Sequence, residues 1–79
     1  MAKKKIQTPE EFLETFAIKL KRLRKAKKIS AVNLADLLKM NKSAISRLES
    51  GDANPSLLTL RKLSIALGYK LEDFFKGVK

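Results

Sequence analysis

The stretch that decides the fold runs from Ala31 to Ser50, AVNLADLLKMNKSAISRLES. It reads as two short helices, Ala31–Leu38 and Lys42 to about Glu49, joined by the tight turn Lys39-Met40-Asn41. On a helical wheel started at Lys42, residues Lys42, Ser46, Ser50, Ser43 and Arg47 share one arc of roughly 0–140°. Ala44, Leu48, Ile45 and Glu49 share the opposite arc, roughly 200–340°. One side packs, and the other is short, polar and cationic. A helix of this width fits the DNA major groove, about 12 Å wide. A solvated surface helix has the same polar exterior, so this helix alone leaves both readings open.

The flanking sequence sets the boundaries. Ser30 and Asn41 are N-caps for the two helices, and Gly51 stops the second as a C′ glycine does. Ala35 is small, as a close helix–helix approach requires. Upstream, Thr8-Pro9-Glu10-Glu11 is a helix start, with Thr8 as N-cap, Pro9 in the first position and Glu11 completing a capping box. That helix runs to about Lys27, with Phe12, Leu13, Phe16, Ala17, Leu20 and Leu23 on its core face and Arg24 at the edge. Acids lie in its first turn and bases in its last, as the helix dipole prefers. Downstream, Asp52–Pro55 is a polar loop, and Ser56 caps a fourth helix that ends at Gly68. Leu57, Leu60, Leu63 and Leu67 form the expected core stripe of that helix. Leu58 and Ile65 form a second apolar stripe suited to a partner. Leu71–Phe75 is a short fifth helix, and Gly77–Lys79 is expected to fray. Met1–Gln7 reads as a flexible basic arm whose lysines reach phosphates or a minor groove, or remain a solvated tail. The expectation is an all-α, compact five-helix bundle over residues 8–76, with the two-helix motif at 31–50.

Composition narrows the function. A chain of 79 residues holds one small core. It contains no cysteine and no histidine, so disulfides, thiolate metal sites and imidazole catalysis are excluded. Glu10-Glu11 and Glu72-Asp73 are neighbours in sequence and do not face one another on helices. They read as capping and solvating groups, so neither an enzyme nor a metal or cofactor site is expected. No apolar run approaches the ~18 residues of a membrane span, and no signal-peptide core follows the N-terminal lysines, so a cytoplasmic, nucleoid-associated location is expected. The net charge of +10, with a pI near 10.2, points to a polyanion. Nucleic acid leads and an anionic membrane surface follows. The bland alternative is charge that serves solubility. The first helix is cationic and amphipathic, but its apolar face is matched by those of the later helices, which argues against a membrane.

On these residues the chain resembles the phage-repressor (Cro/repressor, XRE) helix-turn-helix family. The resemblance spans roughly Phe16 to Phe75. It rests on Leu34-Ala35, Ile45 and Leu48, the Glu49-x-Gly51 end, Asn54-Pro55-Ser56 and Ala66-Leu67-Gly68. It implies a bundle of about five helices whose third helix lies in the major groove. It implies a transcriptional regulator, usually a repressor, acting as a homodimer on a palindromic double-stranded DNA operator. Carried across by position, Lys42, Ser43, Ser46 and Arg47 are base-reading residues. Arg47 is the strongest, because a guanidinium pairs bidentately with guanine. Asn41, Ser50 and Asn54 match positions that hold the DNA backbone, and Lys27 and Lys28 are expected to touch phosphate. Arg24 and Glu49 match a structural salt bridge. The subunit contact is placed on Leu58, Ile65, Phe74 and Phe75, with one of the two phenylalanines expected inside and the other free. No small-molecule effector is expected. Two positions depart from the family pattern. Ala31 stands where glutamine is common, and Lys39 stands where the turn usually has glycine, so a positive φ there carries strain. The alternative reading is an antitoxin-type module of the same fold that binds a toxin or other protein partner and represses its own operon.

Overall fold

A residue with a polar side chain precedes each of the four α-helices, and three of the four, Thr8, Ser30 and Ser56, cap the helix that follows. The computed structural model describes residues 7–76. The Lys3–Lys5 part of the basic arm and Gly77–Lys79 lie outside the described residues. Helix α1 is Pro9–Ala26, α2 is Ala31–Leu38, α3 is Lys42–Ser50 and α4 is Leu57–Leu67. Thr8 and Glu11 form the reciprocal capping box: the Glu11 amide donates to Thr8 Oγ1 at 3.1 Å, and the Thr8 amide donates to Glu11 Oε1 at 2.8 Å. Ser30 Oγ accepts from the Asn33 amide at 3.0 Å, and Ser56 Oγ accepts from the Thr59 amide at 3.1 Å. Asn41 occupies the same position before α3 but makes no side-chain cap bond.

The helix ends follow one backbone rule. A left-handed residue closes each of them: Lys28 (φ 58°), Lys39 (φ 56°), Gly51 (φ 85°) and Gly68 (φ 75°). That conformation turns the chain back so that the last helical carbonyls find donors, as when the Met40 amide reaches Ala35 O at 2.8 Å. Glycine adopts it without a Cβ clash, whereas a lysine there is strained by about 1–2 kcal/mol.

The fifth element is not an α-helix. Leu71–Phe74 is a single 3-10 turn, with the Asp73 amide on Lys70 O and the Phe75 amide on Glu72 O, both at 3.0 Å. Four residues are too few to close a stable α-helical ladder, and i→i+3 bonds satisfy so short a piece. Among the described residues there are four α-helices and no strand.

The core consists of Phe16, Ala17, Leu20, Leu34, Ala35, Leu38, Ile45, Leu48, Leu63, Leu67 and Phe74. It departs from the expected faces in two places. Phe12 remains 38% exposed, because in the first turn of α1 it is covered from one side by the Phe75 ring, stacked at 5.7 Å. Leu57 is 75% exposed, because as the first residue of α4 it precedes by a turn the residues that meet the core. Ser64, two turns further along α4, is 1% exposed and donates its hydroxyl to Arg61 O at 2.7 Å. Phe74 is fully buried against Phe16 and Tyr69, so it closes the core and has no surface to offer a second subunit. Phe75 is half-buried, stacked on both Phe12 and Phe16.

Candidate nucleic-acid interface

Helix α3 is held from beneath. Ile45 (0% exposed) and Leu48 (4%) enter the core, and Ala44 is half-buried beside them. Anchoring those positions fixes the rotation of the helix, since side chains three and four residues apart share a face. Lys42, Ser43, Ser46, Arg47 and Ser50 are all exposed as a result. The cationic arc of the wheel is therefore a real surface of the folded molecule.

A buried ion pair locks the same helix from the side. Arg24 Nε donates to Glu49 Oε2 at 2.5 Å and Nη2 donates to Oε1 at 2.9 Å, a two-point contact between α1 and the last turn of α3. Arg24 Nη1 donates at 2.8 Å to Ile29 O, so the guanidinium also fastens the loop that leads into α2. Both side chains are largely out of water, at 10% and 8% exposure. The hydrogen bonds that Arg24 donates to Glu49 stabilise the charged guanidinium and raise its pKa above the ordinary arginine value, against the opposing effect of burial. Arg24 is thus spent within the fold.

The expected backbone-holding residues fall in different places. Arg47 and Asn54 meet in one open cleft of about 340 Å³ between α3 and the start of α4, whose wall also includes Ser56 and Thr59 and whose apolar lining includes Met40 and Leu48. Asn41 is exposed at the N-terminus of α3 and leaves its amide unused by the cap. Ser50 is exposed but engaged: its hydroxyl donates to Arg47 O at 3.1 Å and lies 3.2 Å from Asp52 Oδ2. Asp52 was not singled out in the sequence, yet it sets a negative charge at the rim of the cationic surface. The signal was an acid one residue beyond the Gly51 stop.

Lys27 and Lys28 follow the last turn of α1. Lys27 Nζ lies 4.9 Å from the centre of the Tyr69 ring, a cation–π contact at the end of α4. Lys28 lines a separate depression with Ile29, Asn33, Asp36 and Leu37. Leu58 (64% exposed) and Ile65 (66%) are on the surface. Among the described residues no cluster of acids suits a metal ion, and no helix is long and apolar enough to cross a membrane.

The fold and this surface define a helix-turn-helix protein. The helix-turn-helix family model HTH_3 matches residues 20–74, and the chain belongs to that family. Its relatives sharpen this. Control protein C.MunI of Mycoplasma sp is 35% identical over 65 residues, 81% of this chain and 88% of that protein. The SPbeta prophage-derived HTH-type transcriptional regulator YonR of Bacillus subtilis is 37% identical over 62 residues; the match takes 78% of this chain and only 57% of YonR. The restriction-modification controller protein C.AhdI of Aeromonas hydrophila has a crystal structure that superposes with a TM-score of 0.77 at 35% identity, over 80% of this chain and 96% of that one. This chain is a DNA-binding transcription regulator of the helix-turn-helix class, and not an enzyme.

Proposed function

We propose that α3 is the recognition helix and that it reads an operator through the major groove. The observation that carries this is the exposure of Lys42, Ser43, Ser46 and Arg47 on one arc of a helix whose other arc is locked by Ile45, Leu48 and the Arg24–Glu49 pair. Base reading needs side chains held at fixed positions, and a helix clamped on two sides supplies them. Arg47 pairs with guanine O6 and N7, and its loss removes about 1–3 kcal/mol of discrimination at one base pair. Lys42 makes a looser base or phosphate contact. Ser43 and Ser46 add weaker readout. Asn41 and Asn54 hold phosphates on either side, which fixes register without reading sequence.

The active form in this reading is a homodimer on a palindromic site, with half-sites about 34–36 Å apart. The subunit contact lies on the Leu58 end of α4 and the open edge of Phe75; the buried Phe74 is removed from it. The two controller proteins are matched over nearly their whole lengths, which favours a controller of restriction–modification genes over other regulatory settings.

The test is selection of DNA from a random pool by the wild-type chain and by Arg47→Ala in parallel, at about 150 mM salt, where non-specific binding is weak. A two-fold symmetric motif with a guanine preference that Arg47→Ala relaxes is the expected result. Enrichment of no motif by the wild-type chain overturns the reading.

A further inference from the structure

A second surface carries chemistry that the reading of DNA does not use. Between α2 and α4 runs a groove of about 420 Å³ lined by Leu37, Leu38, Lys39, Lys62, Ile65 and Ala66. Two of its apolar side chains stand well out into water, Leu37 at 61% and Ile65 at 66% exposure. Lys39 and Lys62 flank them, and no acid lines the groove. The nearest-lying carboxylate in sequence, Asp36, faces the neighbouring depression with Lys28 and Asn33.

We propose that this groove is a docking site for an acidic amphipathic segment of another protein. Its partner presents apolar side chains one helical turn apart, flanked by aspartate or glutamate. The apolar lining takes the anchors and the two ammonium groups select the charge.

Two observations support this occupant. The first is charge complementarity. A second copy of this chain docked by two-fold symmetry would place the same two lysines of each copy around one contact, without a carboxylate among the lining residues. A nucleic-acid backbone would satisfy the lysines but leave Leu37 and Ile65 without an apolar partner. An acidic segment with apolar anchors satisfies both. The second observation is Lys39 itself. It closes α2 at φ 56° and ψ 46°, a conformation that glycine adopts freely. A strained lysine where glycine is the relaxed choice points to use of its side chain, and that side chain lines the groove. This assignment takes Ile65 out of the subunit contact and does not depend on which operator α3 reads.

The experiment offers the full chain a displayed library of helix-forming peptides about 15 residues long, near the length at which an isolated helix holds together. The expected result is enrichment of peptides with leucine or phenylalanine at i and i+4 between acidic residues. Their affinity, followed by fluorescence anisotropy, should fall at least about tenfold for Leu37→Glu and for the double variant Lys39→Glu/Lys62→Glu. Lys39→Gly guards against misfolding as an explanation: it relieves the backbone, should melt no lower than wild type, and should still weaken the same peptides. The operator sequence selected by α3 should be unchanged in all three, whatever the general loss of DNA affinity from the added negative charge. Peptides that lack acids, peptides indifferent to Lys39→Gly, or no enriched family overturn the proposal. So does a groove that proves to be the subunit contact, seen as Ile65→Lys converting a dimer to monomers in sedimentation.

Discussion

Replacing Arg24 with alanine should unfold this protein at a much lower temperature, and the structure lets the size be worked out. The substitution removes both hydrogen bonds to Glu49 and the one to Ile29 O. Glu49 is left at 8% side-chain exposure with its charge uncompensated. Removing one partner of a buried pair costs about 3–5 kcal/mol, mostly as the penalty on the stranded charge. The pair lies at the edge of the core rather than at its centre, so the lower figure, about 3 kcal/mol, is the one to use. A domain of this size shifts its midpoint by roughly 4–8 °C for each kcal/mol, which gives a drop of roughly 12–24 °C. Total stability for about 80 residues is of the order of 4–12 kcal/mol, so the variant loses a large share of it. The assay is a thermal melt followed by circular dichroism, with urea unfolding as a second measure. Arg24→Met/Glu49→Leu is the decisive control. If the stranded charge is the cause, the double variant recovers much of the loss that Arg24→Ala alone produces, because two apolar groups of similar reach leave no charge behind. A melting temperature for Arg24→Ala within about 4 °C of wild type, or a double variant no better than the single one, would refute the reasoning.

Other perturbations separate packing, backbone strain and electrostatics. Phe74→Ala empties a fully buried site and should cost about 3–5 kcal/mol in urea unfolding, whereas Leu57→Ala, at a 75% exposed position, should fall within about 0.5 kcal/mol of wild type. Lys28→Gly places glycine at φ 58° and should raise stability, by about 0.5–1 kcal/mol once the extra freedom of the unfolded chain is subtracted; an unchanged or lower midpoint would show that the backbone there is not strained. Asp52→Asn removes the negative charge at the rim of the α3 surface and should tighten binding to unrelated DNA more than to the selected operator, most visibly at low salt.

The sequence by itself determined where the helices begin and end. Thr8, Ser30 and Ser56 cap within three residues of themselves, and Gly51 and Gly68 supply a backbone conformation that depends on nothing farther away. Local hydrogen bonding and local sterics are legible because every participant lies within one turn of the chain. The polar arc of α3 was legible for a similar reason, since the angle between Lys42 and Arg47 is fixed by helix geometry before any tertiary contact forms. The partnership of Arg24 with Glu49 reached the sequence reading only through the family resemblance, because 25 residues separate them.

Tertiary structure alone decided the rest. Phe74 and Phe75 are adjacent and chemically identical; the shape of the space beside Phe16 and Tyr69 put the first inside and left the second stacked at the rim. Leu57 matched the period of the α4 core stripe but found nothing above it. Lys27 belonged by sequence to a cationic run at the end of α1, and only the fold set its ammonium 4.9 Å from the centre of the Tyr69 ring. In each case the residue's own chemistry allowed two outcomes of similar energy. The choice came from which surface the neighbouring helix happened to bring within van der Waals distance, a quantity that no local pattern encodes.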